Sequence, residues 1–329
     1  MNINRLSIDN ITVFDNFSID TCEGINILIG ENGTGKTHIL KFIYSMCKVT
    51  SKFYKDPPDI AVPYFKVDAN KLIRNNENKD NHVKVDLSEH QSVSLEIMKK
   101  ENDYLDIVDT KNYIESNTIF LPAKEMLSHS KGFLALNNKY DMPFDKTYVD
   151  IITNAELPET REVSPINQKI LDIISKIIDG KVIYENDAFY IVKHNGNKIE
   201  FSLEAEGLRK FGLLYKLIRN GLIEKDTILL WDEPEANINP ELIPTLVEIL
   251  LELQREGVQI FIATHSYNLA KYFEIKRECS DKVLFHNLYK TDNGVKSQSN
   301  EYFGELDKNS IIKADSKLLD DVMEESLED

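Results

Sequence analysis

An apolar run, a glycine-rich octapeptide and an amphipathic stretch follow one another within the first 46 residues, and this succession constrains the fold most. Ile25-Asn26-Ile27-Leu28-Ile29 reads as a buried strand. It runs straight into Gly30-Glu31-Asn32-Gly33-Thr34-Gly35-Lys36-Thr37, which fits G-x-x-x-x-G-K-[ST], the phosphate-binding loop. Ile39, Phe42, Ile43 and Met46 then fall on one helical face. Glycines at these positions let backbone N–H groups turn inward around phosphate oxygens with no Cβ in the way. The helix start, where Thr37 and His38 stand, adds free N–H groups and the positive end of its dipole. Lys36 is placed to reach the β- and γ-phosphates, and Thr37 to offer its hydroxyl to Mg²⁺. A nucleotide site is predicted around Gly30, Asn32, Gly33, Thr34, Gly35, Lys36, Thr37 and His38.

A companion motif stands far downstream. Ile228-Leu229-Leu230-Trp231 reads as a second buried strand, and Asp232-Glu233-Pro234-Glu235 follows it. In a parallel sheet the C-terminal strand ends gather around the ligand, so Asp232 faces the phosphate loop and is the expected Mg²⁺ partner. Glu233 comes one residue later, where a carboxylate polarises the attacking water. The next strand ends Ile262-Ala263-Thr264-His265-Ser266, which aims His265 at the same γ-phosphate as a sensor rather than a base.

Between and around these motifs the chain divides into five expected segments. Residues 1–49 form an N-terminal ATPase lobe read as strand, strand, phosphate loop and helix; Phe14 and Phe17 either stack on an adenine or pack beneath the first strands. Residues 50–116 carry Pro57-Pro58, Pro63, a polar loop at 75–81 and alternating runs at 82–86, 91–97 and 104–108, the pattern of an antiparallel β insertion. Residues 117–204 hold the strand Thr118-Ile119-Phe120-Leu121, a helical lobe from Ala123 and two strands around the Asn195-Gly196 turn. In that lobe Ser164-Pro165 caps a helix whose buried stripe is Ile166, Ile170, Ile173, Ile174 and Ile177. Residues 205–300 alternate helix 206–219, strand 227–231, helix 240–254, strand 258–263 and helix 266–273, a doubly wound parallel arrangement. Residues 301–329 are an acidic tail, compatible with a helix or a loose segment.

Composition removes some functions. Hydrophobic residues at 42% and charged residues at 29% are ordinary for a globular protein, and no apolar run approaches the ~18 residues of a membrane helix. The N-terminus alternates like a strand and does not resemble a signal peptide. Cys22, Cys47 and Cys279 are too scattered for a metal cluster or disulfide framework and read as thiols of a reducing cytoplasm. A net charge of −16 disfavours a broad DNA or RNA surface, although it leaves room for a local basic groove.

The phosphate loop, the Asp232-Glu233 strand end and the Thr264-His265-Ser266 switch one strand later resemble the ABC-type ATPase head. Within that class the chain resembles the SMC-like and OLD-like ATPases, through Leu121-Pro122-Ala123-Lys124-Glu125-Met126 and Ala205-Glu206-Gly207-Leu208-Arg209-Lys210. The resemblance implies an α/β P-loop fold of ABC/SMC-head type, a mostly parallel sheet with an antiparallel insertion and a helical lobe, and ATP with Mg²⁺ as cofactors. It also implies a homodimer in which the signature segment, with Glu206 and Gly207, caps the ATP of the opposite subunit, and Asn237 in a D-loop crossing that interface. Two departures qualify it. Ala205-Glu206-Gly207 replaces the usual Ser-Gly-Gly, which leaves Arg209 or Lys210 as a substitute charge contact in trans, and Lys124 and Glu125 stand where the Q-loop glutamine belongs. No heptad repeat long enough for an SMC coiled coil is present, and the residues after His265 are too few for a Toprim nuclease domain.

The expectation is therefore a Mg²⁺-dependent ATP hydrolase acting as a dimerising switch on a separate effector protein. In the branch it resembles, such effectors are nucleases or toxins of prokaryotic anti-phage defence. A DNA-clamping repair or chromosome-associated ATPase is the alternative, and a transporter ATP-binding subunit comes third.

Overall fold

Three strands, not two, precede the phosphate loop in the computed structural model of the chain: β1 (Ile3–Asp9), β2 (Phe17–Asp20) and β3 (Ile25–Gly30). The structure describes residues 1–51, 59–75, 80–100, 103–110, 117–140 and 142–328; Pro57, Pro58 and residues 76–79 of the polar loop lie outside the described residues. Helix α1 (Lys36–Val49) follows the loop, and β4 (His82–Leu87), β5 (Ser92–Lys100) and β6 (Asp103–Thr110) supply the expected antiparallel strands.

Those strands do not make a layer of their own. β4 pairs antiparallel with β1, Leu6 lying opposite Val85, which gives one sheet in the order β2-β1-β4-β5-β6. The cause is their shared alternation: Leu6, Ile8, Val83, Val85, Val93 and Leu95 are all buried on one face, against the outer side of α1.

After β7 (Asn117–Leu121), residues 123–126 are irregular, and the helical lobe begins only with α2 (Phe133–Lys139), followed by α3 (Lys146–Glu156) and α4 (Pro165–Ile177). Glu125 explains the delay. Its carboxylate accepts the backbone N–H groups of Leu127 and Ser128, a local alternative to helix hydrogen bonds. Ser164 caps α4 by accepting from the Asn167 N–H at 3.1 Å, as expected from Ser-Pro. Only Ile170 and Ile174 of the predicted stripe are fully buried; Ile166, Ile173 and Ile177 pack half-buried at its margin. The expected two strands are three, β8 (Gly180–Glu185), β9 (Ala188–Lys193) and β10 (Lys198–Glu200), because Asn186 and Asp187 at positive φ build a second tight turn.

The remainder is α5 (Glu206–Arg219), β11 (Thr227–Asp232), α6 (Ile243–Arg255), β12 (Gln259–Thr264), α7 (Tyr267–Lys276), β13 (Val283–Thr291), β14 (Gly294–Asn300) and α8 (Ser310–Glu328). The acidic tail is thus helical. Strands assemble in the order β14-β13-β3-β12-β11-β7, parallel except for β14. Every residue of β3, β11 and β12 is buried, as a sheet covered on both faces requires. Ile27, Leu229 and Ile260 face α5, α6 and the lobe; Leu28, Leu230 and Phe261 face α1 and the antiparallel sheet. Three layers result, and the C-terminal ends of β3, β11 and β12 open at one rim. No helix among the described residues is long and apolar enough to cross a membrane.

Candidate nucleotide site

At that rim the glycine loop turns from β3 into α1. Gly35 caps α1 at φ +84°, and a Cβ there would stand 2.5 Å from Cζ of Phe14, so neither the dihedral nor the space admits a side chain. The same contact decides the role of Phe14. Phe14 and Phe17 are buried, 4.6 Å apart between ring centroids. Withdrawing a buried Phe costs about 3–5 kcal/mol, more than the ~1–3 kcal/mol that a base stack returns. Both rings are core, not adenine platforms.

Lys36 is buried to 7% exposure, and its Nζ donates to the carbonyls of Gly30 (2.7 Å) and Glu31 (3.0 Å). Burial lowers its pKa; Glu233, Asp232, Glu235 and Glu31 act in the opposite direction. Thr34 is buried with its hydroxyl on the Glu31 carbonyl at 2.9 Å, whereas Asn32 is exposed at the loop tip. His38 turns its side chain away from the loop. Its ring sits edge-on to Phe65 at 5.8 Å with Nδ1 buried and unbonded, and burial lowers its pKa, so its backbone N–H is the part available to a phosphate.

β11 delivers Asp232 to the first turn of α1. The Thr37 hydroxyl lies 3.1 and 3.0 Å from the two Asp232 carboxylate oxygens. Burial, with the Glu233 charge adding, pushes the Asp232 pKa up to about 6; the Thr37 hydroxyl, Lys41 and Lys36 restrain it. A hydroxyl and a carboxylate held together in a buried place are the hard oxygen donors that suit Mg²⁺, and the donor set fits the ion. Lys41, one turn along α1, reaches across to Asp145 at 2.5 Å, whose other oxygen caps α3 through the Thr147 N–H.

Glu233 occupies the left-handed region at φ +46°. Its N–H donates to the Ala263 carbonyl (2.8 Å), which ties it to β12, and its carboxylate lies 2.7 Å from Nδ1 of His265. Thus the structure brings Lys36, Thr37, Asp232, Glu233 and His265 to one rim.

The signature segment opens α5. Gly207, in the first turn of α5, packs so closely on the Asn237 carbonyl that a Cβ would come within 2.6 Å of it, and Asn237 itself has φ +62°. Glu206 lies half-exposed at the start of the helix. The proposed substitute contacts are spent within the chain. Arg209 pairs with the fully buried Glu125 at 3.0 Å, and Lys210, 3% exposed, donates to the Glu233 carbonyl at 2.9 Å. Both cations are thus engaged within the chain.

Two residues at the rim escaped the sequence reading. Glu235 accepts the Thr264 hydroxyl, and one ligand atom each from Glu233, Glu235 and His265 fall within 4.8 Å of one another. Burial, and then the Glu233 charge, push the Glu235 pKa up to about 7. Lys290, at the end of β13, holds its Nζ 3.6 Å from where a Cβ on Gly33 would stand. The Asp-x-x-Glu spacing signals the first; nothing local signals the second.

Comparison with known proteins agrees with this geometry. Among solved structures the chain is similar to the SMC head domain from Thermotoga maritima, with a TM-score of 0.51 at 14% identity over 92% of this chain and 100% of that one. It is also similar to the SmcHead solved bound to the C-winged helix domain of ScpA, with a TM-score of 0.59 at 13% identity over 92% and 99% of the two chains. These likenesses establish the fold of an SMC head.

In sequence it is 25% identical over 156 residues to the L-cystine import ATP-binding protein TcyN of Bacillus subtilis (strain 168), covering 41% of this chain and 58% of TcyN. It is 32% identical over 68 residues to the glutamine transport ATP-binding protein GlnQ of Geobacillus stearothermophilus, covering 21% and 26% of the two chains. The chain therefore spans little more than half of TcyN and about a quarter of GlnQ. Residues 88–271, with Asp232, Glu233 and His265 among them, match the family described as AAA domain, putative AbiEii toxin, Type IV TA system. That span covers more than half of the chain, and the protein belongs to this AAA-domain family.

Proposed function

We propose that this protein is a Mg²⁺-dependent ATP hydrolase whose two copies close head to tail around ATP, and that closure controls a separate effector protein. One observation carries the reading. The Thr37–Asp232 pair stands at the mouth of the glycine loop, with the Glu233 carboxylate and the His265 ring 2.7 Å apart beside it.

In this reading the loop N–H groups and the start of α1 take the phosphate oxygens, and Lys36 exchanges its two carbonyl partners for β- and γ-oxygens. Thr37 and Asp232 would hold Mg²⁺, which when bound neutralises charge on those phosphates. The Glu233 carboxylate polarises the attacking water and accepts its proton. His265, 57% exposed, stands with Nδ1 against the Glu233 carboxylate, and with both ring nitrogens protonated it donates from Nδ1 to Glu233 and from Nε2 to the γ-phosphate. Gly207 and Asn237, packed together, form the edge that meets the nucleotide of the partner.

The family description as a putative toxin of a type IV toxin–antitoxin system supports an effector-linked role, by analogy a nuclease or toxin in anti-phage defence. The net charge of −16 weighs against a DNA clamp. Similarity to transport ATP-binding proteins favours a transporter subunit as second reading. Against it, Glu125, at the Q-loop position, is already committed to Arg209.

The test is the solution mass and turnover of Glu233→Gln with Mg²⁺–ATP. The variant is expected to bind ATP, to turn over about 10²–10⁴-fold more slowly and to accumulate as an ATP-dependent dimer. Wild-type turnover in the variant removes the role of Glu233. An unchanged mass removes the head-to-tail closure.

A further inference from the structure

The first turn of α5 sends both of its cations inward, onto the ends of two neighbouring parallel strands. Arg209 reaches the segment after β7 through Glu125, and Lys210 reaches the segment after β11 through the Glu233 carbonyl. The second contact is unusual in what it holds. Glu233 is a non-glycine residue at φ +46°, a backbone state that persists only where its surroundings fix it. Its N–H is held by β12, and its carbonyl accepts from the Ala236 N–H at 3.1 Å and from Lys210 at 2.9 Å. Of the two donors to that carbonyl, Lys210 is the one that comes from another element.

Lys210 is also 3% exposed among acidic groups. Burial lowers its pKa, and Glu235, Glu206, Glu233 and Asp232 oppose that shift. An ammonium in such a place satisfies the carbonyl and offsets the crowding of four carboxylates at once.

We propose that Lys210 is a positioning residue for Glu233, and that through it the placement of α5 sets the placement of the Glu233 carboxylate. The proposal rests on Glu233 acting on water as described above. A displacement of α5, whose Gly207 end packs on Asn237, would move the Lys210 ammonium and let the Glu233 peptide leave its left-handed state. The carboxylate would then part from His265. Whatever engages the start of α5 thereby tunes hydrolysis without touching the phosphate loop.

The experiment compares Lys210→Met and Lys210→Arg with the parent protein for ATP affinity by calorimetry, steady-state turnover and melting temperature. Lys210→Met is expected to lower kcat about ten- to a hundredfold, the effect of a misplaced reacting group. Its ATP affinity should stay within about threefold, since uniform binding is untouched. Lys210→Arg should recover most of the turnover. In a Glu233→Gln background, Lys210→Met should add nothing further. Should Lys210→Met fail to fold, Lys210→Gln, which stays polar but draws its donor back by one bond and carries no charge, takes its place with the same expected split between kcat and affinity.

Unchanged kcat in Lys210→Met overturns the proposal. So does a fall in affinity and melting temperature in step with kcat that arginine does not rescue, the mark of a lysine serving only the fold. Wild-type turnover in Glu233→Gln alone would instead strike the underlying reading, whatever Lys210 does.

Discussion

Glu235 offers a quantitative check on how the rim is built. Its carboxyl is buried beside Glu233, with one oxygen on the Thr264 hydroxyl and the other accepting no hydrogen bond. Burial first, and the neighbouring charge second, raise its pKa from an ordinary 4.5 to about 7. The folded protein thus holds this proton more tightly than the unfolded chain does. Stability from the group is complete below pH 4.5 and is lost as pH rises through about 7. That gap sets a ceiling of ~3 kcal/mol on the cost of carrying the ionised group at pH 8. Glu235→Gln keeps an oxygen for Thr264 and removes the charge. The nucleotide-free variant should therefore be more stable than the parent by about 1–3 kcal/mol at pH 8, a rise in melting temperature of ~2–4 °C for a chain of this size. At pH 5.5, one unit above the unfolded value, less than half of that advantage should remain. Buried His286, whose pKa burial pushes down to about 4, contributes an opposite slope to both proteins and cancels in the comparison. Scanning calorimetry at the two pH values, without metal or nucleotide, makes the measurement. A variant less stable than the parent at pH 8, or one with the same gain at both pH values, refutes the reasoning.

Two further outcomes concern ligand binding. Because the Asp232 pKa is pushed up to about 6, Mg²⁺-dependent ATP affinity should fall as pH drops through 6, about tenfold per pH unit below it, while Mg²⁺-free binding changes little; a flat Mg²⁺ dependence between pH 5 and 7.5 contradicts the placement of the ion. Lys36→Ala should abolish ATP binding in calorimetry, and retained affinity would refute the assignment of the glycine loop.

The parallel half of the fold was legible because its signals are local. An apolar run, a glycine motif and a 3.6-residue stripe each lie within one element, so α5 and β11 appear in the structure within a residue of where the sequence put them. The antiparallel sheet was legible only in part. Alternation identifies β4, β5 and β6, but the pairing of Leu6 with Val85 joins segments nearly eighty residues apart, and period-two patterns carry no address. The same limit applies to side-chain direction. Arg209 and Lys210 read as free cations on a helix, and only the folded chain supplies the Glu125 carboxylate and the Glu233 carbonyl that claim them. Phe14 shows the reverse case. Its proximity to the loop in sequence suggested a ligand contact, while its proximity in space is what excludes one, since it fills the room beside Gly35.

The position of β3 in its sheet has a consequence for synthesis. Its two neighbours are β12 and β13, so the strand that carries the glycine loop is paired on neither side until the last quarter of the chain exists. Roughly 230 residues separate the loop from β12, on the order of ten to forty seconds of translation at about 5–20 residues per second. The antiparallel sheet is complete much earlier, since all its strands come from the first 110 residues. A growing chain therefore closes its outer layer first and acquires a phosphate cradle last.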